Sequence, residues 1–237
     1  DDERLSDDEV AAAREAMVAD YEAAVANARD RDKRLQAEMD LAYVHGNWRG
    51  LLTRTKRAVA ADVCQDGNWT STISNTIGLS AEHAEQAKGV LACDPLRPLA
   101  WVNAARATLW TGDYDEALRL AREGREVAPS NWLDWVYVRV LIESGRYEEA
   151  QEAIDTQMQD IAFAQGARAL LAAKQGDRDG LARAVAGFNI DVDYHFFGGM
   201  VYAWGGLRDD ANRIAARYDA HPWGPWVLWQ AAHWCAC

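Results

Sequence analysis

Cationic side chains are the scarcer charge in this chain: 25 Lys and Arg stand against 37 Asp and Glu over 237 residues, a formal net charge of -12. A nucleic-acid partner calls for a basic stripe that neutralises phosphates, so this balance argues against one. The first 40 residues hold 13 acids and 6 bases, more than half of the excess. Such a run reads as a solvated helix face first and as an acidic docking arm second. Long apolar runs are missing too, and nothing reaches the roughly 20 apolar residues of a membrane helix. The most apolar stretch, Trp223 to Cys237, is short and broken by Gly224, Pro225, Gln230 and His233. There is no G-x-S-x-G, H-E-x-x-H, G-x-x-x-x-G-K-[ST] or G-x-G-x-x-G, so neither an enzyme nor a cofactor is expected. The chain opens on Asp1-Asp2-Glu3 with no initiator Met and no basic-then-apolar leader, as expected of a processed chain or a piece of a longer one.

What the chain does have is helical periodicity punctuated at a near-constant interval. Ser6-Asp7-Asp8-Glu9 has the form of a capping box, and from Glu9 to about Ala28 the residues Val10, Ala13, Met17, Tyr21, Ala24 and Val25 recur at helical spacing. After a charged break at Arg29 to Lys33, a second helix is expected over Leu35 to Val44. A turn follows at Gly46-Asn47-Trp48, and comparable turns recur at Gly78, Gly112-Asp113-Tyr114, Gly145-Arg146-Tyr147, Gly176-Asp177-Arg178 and Gly206-Leu207-Arg208. Gly46 and Gly112 are 66 residues apart, twice a 33-residue period, and the later intervals are 33, 31 and 30. The helix after Gly78 is expected over Ala81 to Cys93, and its partner over Asn68 to Gly78 is the least regular. Asn68-Trp69-Thr70 fits the N-glycosylation pattern, which is too short to carry weight.

The fullest unit runs from Pro98 to Asn131. Small residues at Ala104, Ala105, Ala117, Ala121 and Gly124 let two antiparallel helices approach, Gly112 frees the turn, and Pro129 stops the second helix. With Trp101, Gly112, Tyr114, Ala117 and Pro129 in place, the unit resembles the tetratricopeptide repeat. The resemblance implies an all-α, right-handed superhelical solenoid. Residues 1–31 would form an acidic N-terminal helix, 32–222 about six hairpins, and 223–237 a Trp-rich terminal helix. In such arrays the first helices line a concave groove that takes a peptide or a partner's helix. Counting back from the turn glycines puts Leu99, Val102, Arg106, Leu109 and Trp110 there, then Trp132, Trp135, Arg139 and Glu143. Phe163, Leu170 and Lys174 follow, and then Phe196, Met200 and Trp204. Arg beside Trp suits an extended peptide, with rings for apolar anchors and guanidinium forks for carboxylates. Substitution of Trp135 or Arg139 is expected to weaken binding without unfolding. Asn103 and Arg106 match part of the family's carboxylate clamp, but Val102 stands where that clamp has Lys.

The remaining features are read conservatively. His233, Cys235 and Cys237 are soft-metal ligand types with nothing to complete a site, so no metal is expected. Capping by Asp193 accounts for the cluster Asp191 to His195 more simply than acid–base chemistry. The Trp-rich end is wrong for a soluble cap, and Trp223, Trp226, Trp229 and Trp234 are expected at an interface, a homodimer among the choices. Four cysteines are too few for a disulfide-built scaffold. Cys64 and Cys93 fall near the ends of successive second helices, where one bridge is open to them outside the cytoplasm. Gly46 to Leu51, Leu91 to Leu96 and Trp234 to Cys237 also loosely resemble repeat regions attached to bacterial membrane-tethered regulators or nucleotide cyclases. That resemblance implies a sensory segment and favours an extracytoplasmic place over a cytoplasmic one.

Overall fold

The computed structural model describes residues 7–60, 78–186 and 198–220. Among these, every regular element is an α-helix. In chain order they are α1 (Asp7–Asn27), α2 (Arg31–Val44), α3 (Trp48–Ala60), α4 (Ser80–Cys93), α5 (Pro98–Trp110) and α6 (Tyr114–Val127). Then come α7 (Asn131–Glu143), α8 (Tyr147–Thr156), α9 (Ile161–Gln175), α10 (Arg178–Val185), α11 (Gly198–Trp204) and α12 (Arg208–Ala220). No helix among the described residues is long and apolar enough to cross a membrane. Ser6, residues 68–77 of the helix expected over Asn68 to Gly78, Asp191 to Phe196 and the stretch from Trp223 to Cys237 lie outside the described residues.

The turns follow from a two-residue device. All six expected turn glycines adopt positive φ, from 66° at Gly46 to 82° at Gly112, a conformation in which any Cβ is strained. At four of them the next residue's N–H closes back onto the preceding helix: Asn47 to the Ala42 carbonyl, Arg146 to Leu141, Asp177 to Ala172 and Leu207 to Tyr202, at 2.8–2.9 Å. Where that next residue is Asn or Asp, its side chain also caps the following helix. Asn47 accepts from the Gly50 N–H at 3.0 Å, Asp113 from Glu116 at 3.2 Å and Asp177 from Gly180 at 2.9 Å. One Gly-Asx dipeptide thus ends one helix and starts its partner.

The same chemistry corrects one boundary. The second helix begins at Arg31, not Leu35, because Asp30 caps it by accepting from the backbone N–H groups of Asp32 at 2.8 Å and Lys33 at 3.0 Å. The charged break is therefore only Ala28 to Asp30.

Packing is between near neighbours in the chain. Helix α5 contacts α4, α6 and α7; α7 contacts α5, α6, α8 and α9; α9 contacts α7, α8, α10 and α11. The intervening helices α6, α8 and α10 rest chiefly on the helices beside them in sequence. Burial follows from this arrangement. Nine residues of α5 and nine of α7 are buried, apolar nearly all round, whereas α6 buries the single stripe Ala117, Leu118, Leu120, Ala121 and Gly124. At the α5–α6 crossing, a Cβ on Gly124 would lie 2.7 Å from the Trp101 Cβ. The Trp101 ring is fixed in turn by an indole N–H bond of 2.7 Å to the Pro95 carbonyl, so only a glycine fits opposite it.

Candidate functional site

Four residues share one place in the repeat. Trp110, Glu143, Lys174 and Trp204 each stand two residues before a turn glycine, and Arg106, Arg139, Leu170 and Met200 stand six before. Residues four apart lie on one helix face. Because α5, α7, α9 and α11 pack side by side in that order, equivalent positions become neighbours across helices.

The contacts trace a chain of charges and rings over this face. The Arg106 guanidinium lies 5.1 Å from the Trp110 ring centroid and donates to the Asn103 side-chain oxygen at 2.9 Å. Glu143 joins two cations: Arg139 Nε at 3.8 Å within α7 and Lys174 Nζ at 2.9 Å from α9. The same Lys174 ammonium sits 3.6 Å from the Trp204 ring centroid on α11, a cation–π contact. Among the described residues of this cluster, Arg106, Arg139 and Lys174 stand with the single carboxylate Glu143, in a chain whose total charge is -12. Farther toward the helix starts, Trp132 meets Phe163 edge-on at 4.9 Å, and Trp135 lies 6.3 Å from the same ring.

Not all of the expected groove residues are at the surface. Trp132 is 41% exposed, while Arg106, Trp110, Phe163 and Trp204 are half-buried. Trp135 is 6% exposed and Arg139 only 2%. Substitution of either therefore changes the core, contrary to the expectation of weakened binding in an otherwise intact fold. Val102 and Leu109 are likewise buried. Phe196, Cys64, Trp223, Trp226, Trp229 and Trp234 lie outside the described residues. Cys93 is disulfide-bonded, and its partner lies outside them too.

The face rests on a group that the sequence reading passed over. His83 on α4 is 1% exposed, and neither ring nitrogen makes a well-formed hydrogen bond among the described residues. Burial, and next the Arg106 charge, push its pKa down to about 4, with the Gln86 amide pulling weakly the other way. The imidazole is accordingly neutral at physiological pH. Its place on the stripe His83, Ala87 and Val90 was a readable signal of burial. Nothing local in the sequence announced the Arg106 charge arriving from the next helix. Among the described residues, no group of three His, Cys, Asp or Glu is placed to hold a metal ion. No protein-family model matches this chain, and no curated protein matches it.

Proposed function

We propose that the hairpins stack as a right-handed tetratricopeptide-like solenoid, and that the face of α5, α7, α9 and α11 is a non-catalytic groove for an acidic segment of a partner protein. The observation that carries this reading is the local chemistry: the half-buried cations Arg106 and Lys174 set against the rings of Trp110 and Trp204, in a strongly acidic chain. Indole rings offer apolar anchoring area, and the adjoining cations pair with carboxylates. Arg139 and Trp135 serve as positioning residues, since both are enclosed. Glu143 lies between Arg139 and Lys174 and offsets their mutual repulsion.

The test is selection of binders from a random peptide library, followed by titration of the leading peptide against single variants. The expected peptides carry Asp or Glu next to an aromatic or aliphatic residue. Lys174→Ala and Arg106→Ala should each weaken binding about tenfold, equivalent to about 1.4 kcal/mol. Peptides without acidic enrichment, or unchanged affinity in both variants, would sink the reading.

A sensory segment acting outside the cytoplasm is the second reading, supported by the disulfide at Cys93, since such bonds persist in oxidising compartments. Peptide mapping of the native protein under non-reducing conditions decides that point, and a free Cys93 thiol would remove its support.

A further inference from the structure

The α2–α3 hairpin breaks with the rest of the chain in charge. Residues 31–60 contain seven Lys and Arg and three Asp and Glu, a balance of +4, which leaves -16 for all other residues. Three of these cations converge on one cleft of about 360 Å³, lined by Arg31, Arg34 and Leu35 of α2, Arg57 and Ala60 of α3, and the carboxylate of Glu38. Glu38 offsets only part of this charge and is shared with a fourth cation, Arg54 of α3, at 3.4 Å. Arg34 donates to the Ala28 carbonyl at 3.4 Å, and no ion pair joins Arg31, Arg34 or Arg57 to a carboxylate among the described residues. Among the described residues, three guanidinium groups thus share a cleft with one carboxylate, in a protein with carboxylates to spare. Mutual repulsion makes that arrangement unfavourable when empty and favourable around an anion.

We propose that this cleft is a binding site for a small polyanion bearing phosphate or carboxylate groups. Guanidinium forks bind either group bidentately, the volume is in the range of small-ligand sites, and Leu35 and Ala60 supply an apolar wall for the body of an organic anion. The site shares no residue with the α5–α11 face, so it stands or falls independently of the groove.

The experiment is isothermal titration of the whole chain with inorganic pyrophosphate and, separately, with citrate, at ionic strength held constant with sodium chloride. Saturable one-to-one binding is expected for at least one of them. Pyrophosphate alone would identify a phosphate site, and citrate binding equally well would identify a general polyanion site; either outcome supports the proposal. Arg57→Gln and Arg34→Gln should each weaken binding by about tenfold. Both positions are exposed, so folding should persist, as circular dichroism would verify. Glu38→Gln provides a control of opposite sign and should tighten binding. Absence of saturable heat with both anions at millimolar concentration would overturn the site, as would binding that the arginine variants leave unchanged.

Discussion

Glu143→Gln is expected to lower the unfolding free energy by about 3 kcal/mol, whereas Arg139→Met should cost less than about 1 kcal/mol. The asymmetry comes from where the charges sit. The Arg139 side chain is 2% exposed and the Glu143 side chain 12%, and Glu143 also holds Lys174, which is 26% exposed. Neutralising the carboxylate removes the negative charge 3.8 Å from the enclosed Arg139 Nε and 2.9 Å from the Lys174 ammonium, and breaking a buried ion pair from one side is the costly change. Replacing Arg139 by an apolar chain of similar length removes the buried charge itself and leaves the Glu143 to Lys174 pair whole. The double variant should therefore be less destabilised than the sum of the singles, by more than about 1 kcal/mol of coupling. Urea unfolding of the three variants reads all of this. Equal costs for the two single changes, or a Glu143→Gln cost under about 1 kcal/mol, would show that Arg139 does not depend on that carboxylate. Binding should move the other way: without the Glu143 charge the face is more positive, and an acidic peptide should bind it more tightly.

The second large effect is a pair of opposed pH dependences. His83 has a pKa of about 4 in the fold, chiefly from burial and secondarily from Arg106, against an unperturbed value of about 6.5. Above pH 6.5 it is neutral in both states and contributes nothing to the difference. As pH falls below that value the unfolded chain takes the proton first, so stability drops, by about 3 kcal/mol once pH reaches about 4. Asp40 on α2 behaves in reverse. Burial raises its carboxyl to about 6, with the Gln36 amide, donating at 2.9 Å, opposing the shift. The phenols of Tyr21 and Tyr43 are raised beside it, each mainly by burial and in part by the Asp40 charge. The fold therefore binds that proton before the unfolded chain does, and stability rises as pH falls from above 6 toward 3.8, by about 3 kcal/mol. Between pH 6 and 4.5 the two contributions largely cancel. Asp40→Asn should expose a steep loss of stability on acidification in that window, and His83→Leu should expose a gain. Denaturant midpoints measured at half-unit steps check both. Curves parallel to the native protein's would show that neither group is perturbed.

Periodicity made the helices and turns legible because each is built from local chemistry. A glycine that must adopt positive φ, followed in three turns by an Asn or Asp that caps the next helix, is visible without tertiary information. The start of α2 was missed for a related reason: Asp30 lies inside a charged run, where one capping carboxylate looks like its neighbours. The candidate site was legible in membership but not in depth. Counting back from the glycines placed Arg106, Trp110, Glu143, Lys174 and Trp204 on one face, yet burial depends on which neighbouring helix covers each position. Hence Arg139 reads as a surface cation and lies enclosed, while His83 owes its low pKa chiefly to burial and secondarily to a residue 23 positions away in sequence. The Arg31–Arg34–Arg57 cleft is a non-local feature of the same kind, made when the start of α2 meets the end of α3.

The proposed groove requires helices that stack mainly on their neighbours and leave the first-helix face open to a partner. Small-angle X-ray scattering in dilute solution, with molecular mass from light scattering in the same run, tests that dependence directly. A globule of this length has a radius of gyration of about 18 Å, and an open stack of hairpins should exceed about 20 Å as a monomer. A monomer at about 18 Å would mean that the array has closed on itself, and the groove would not exist.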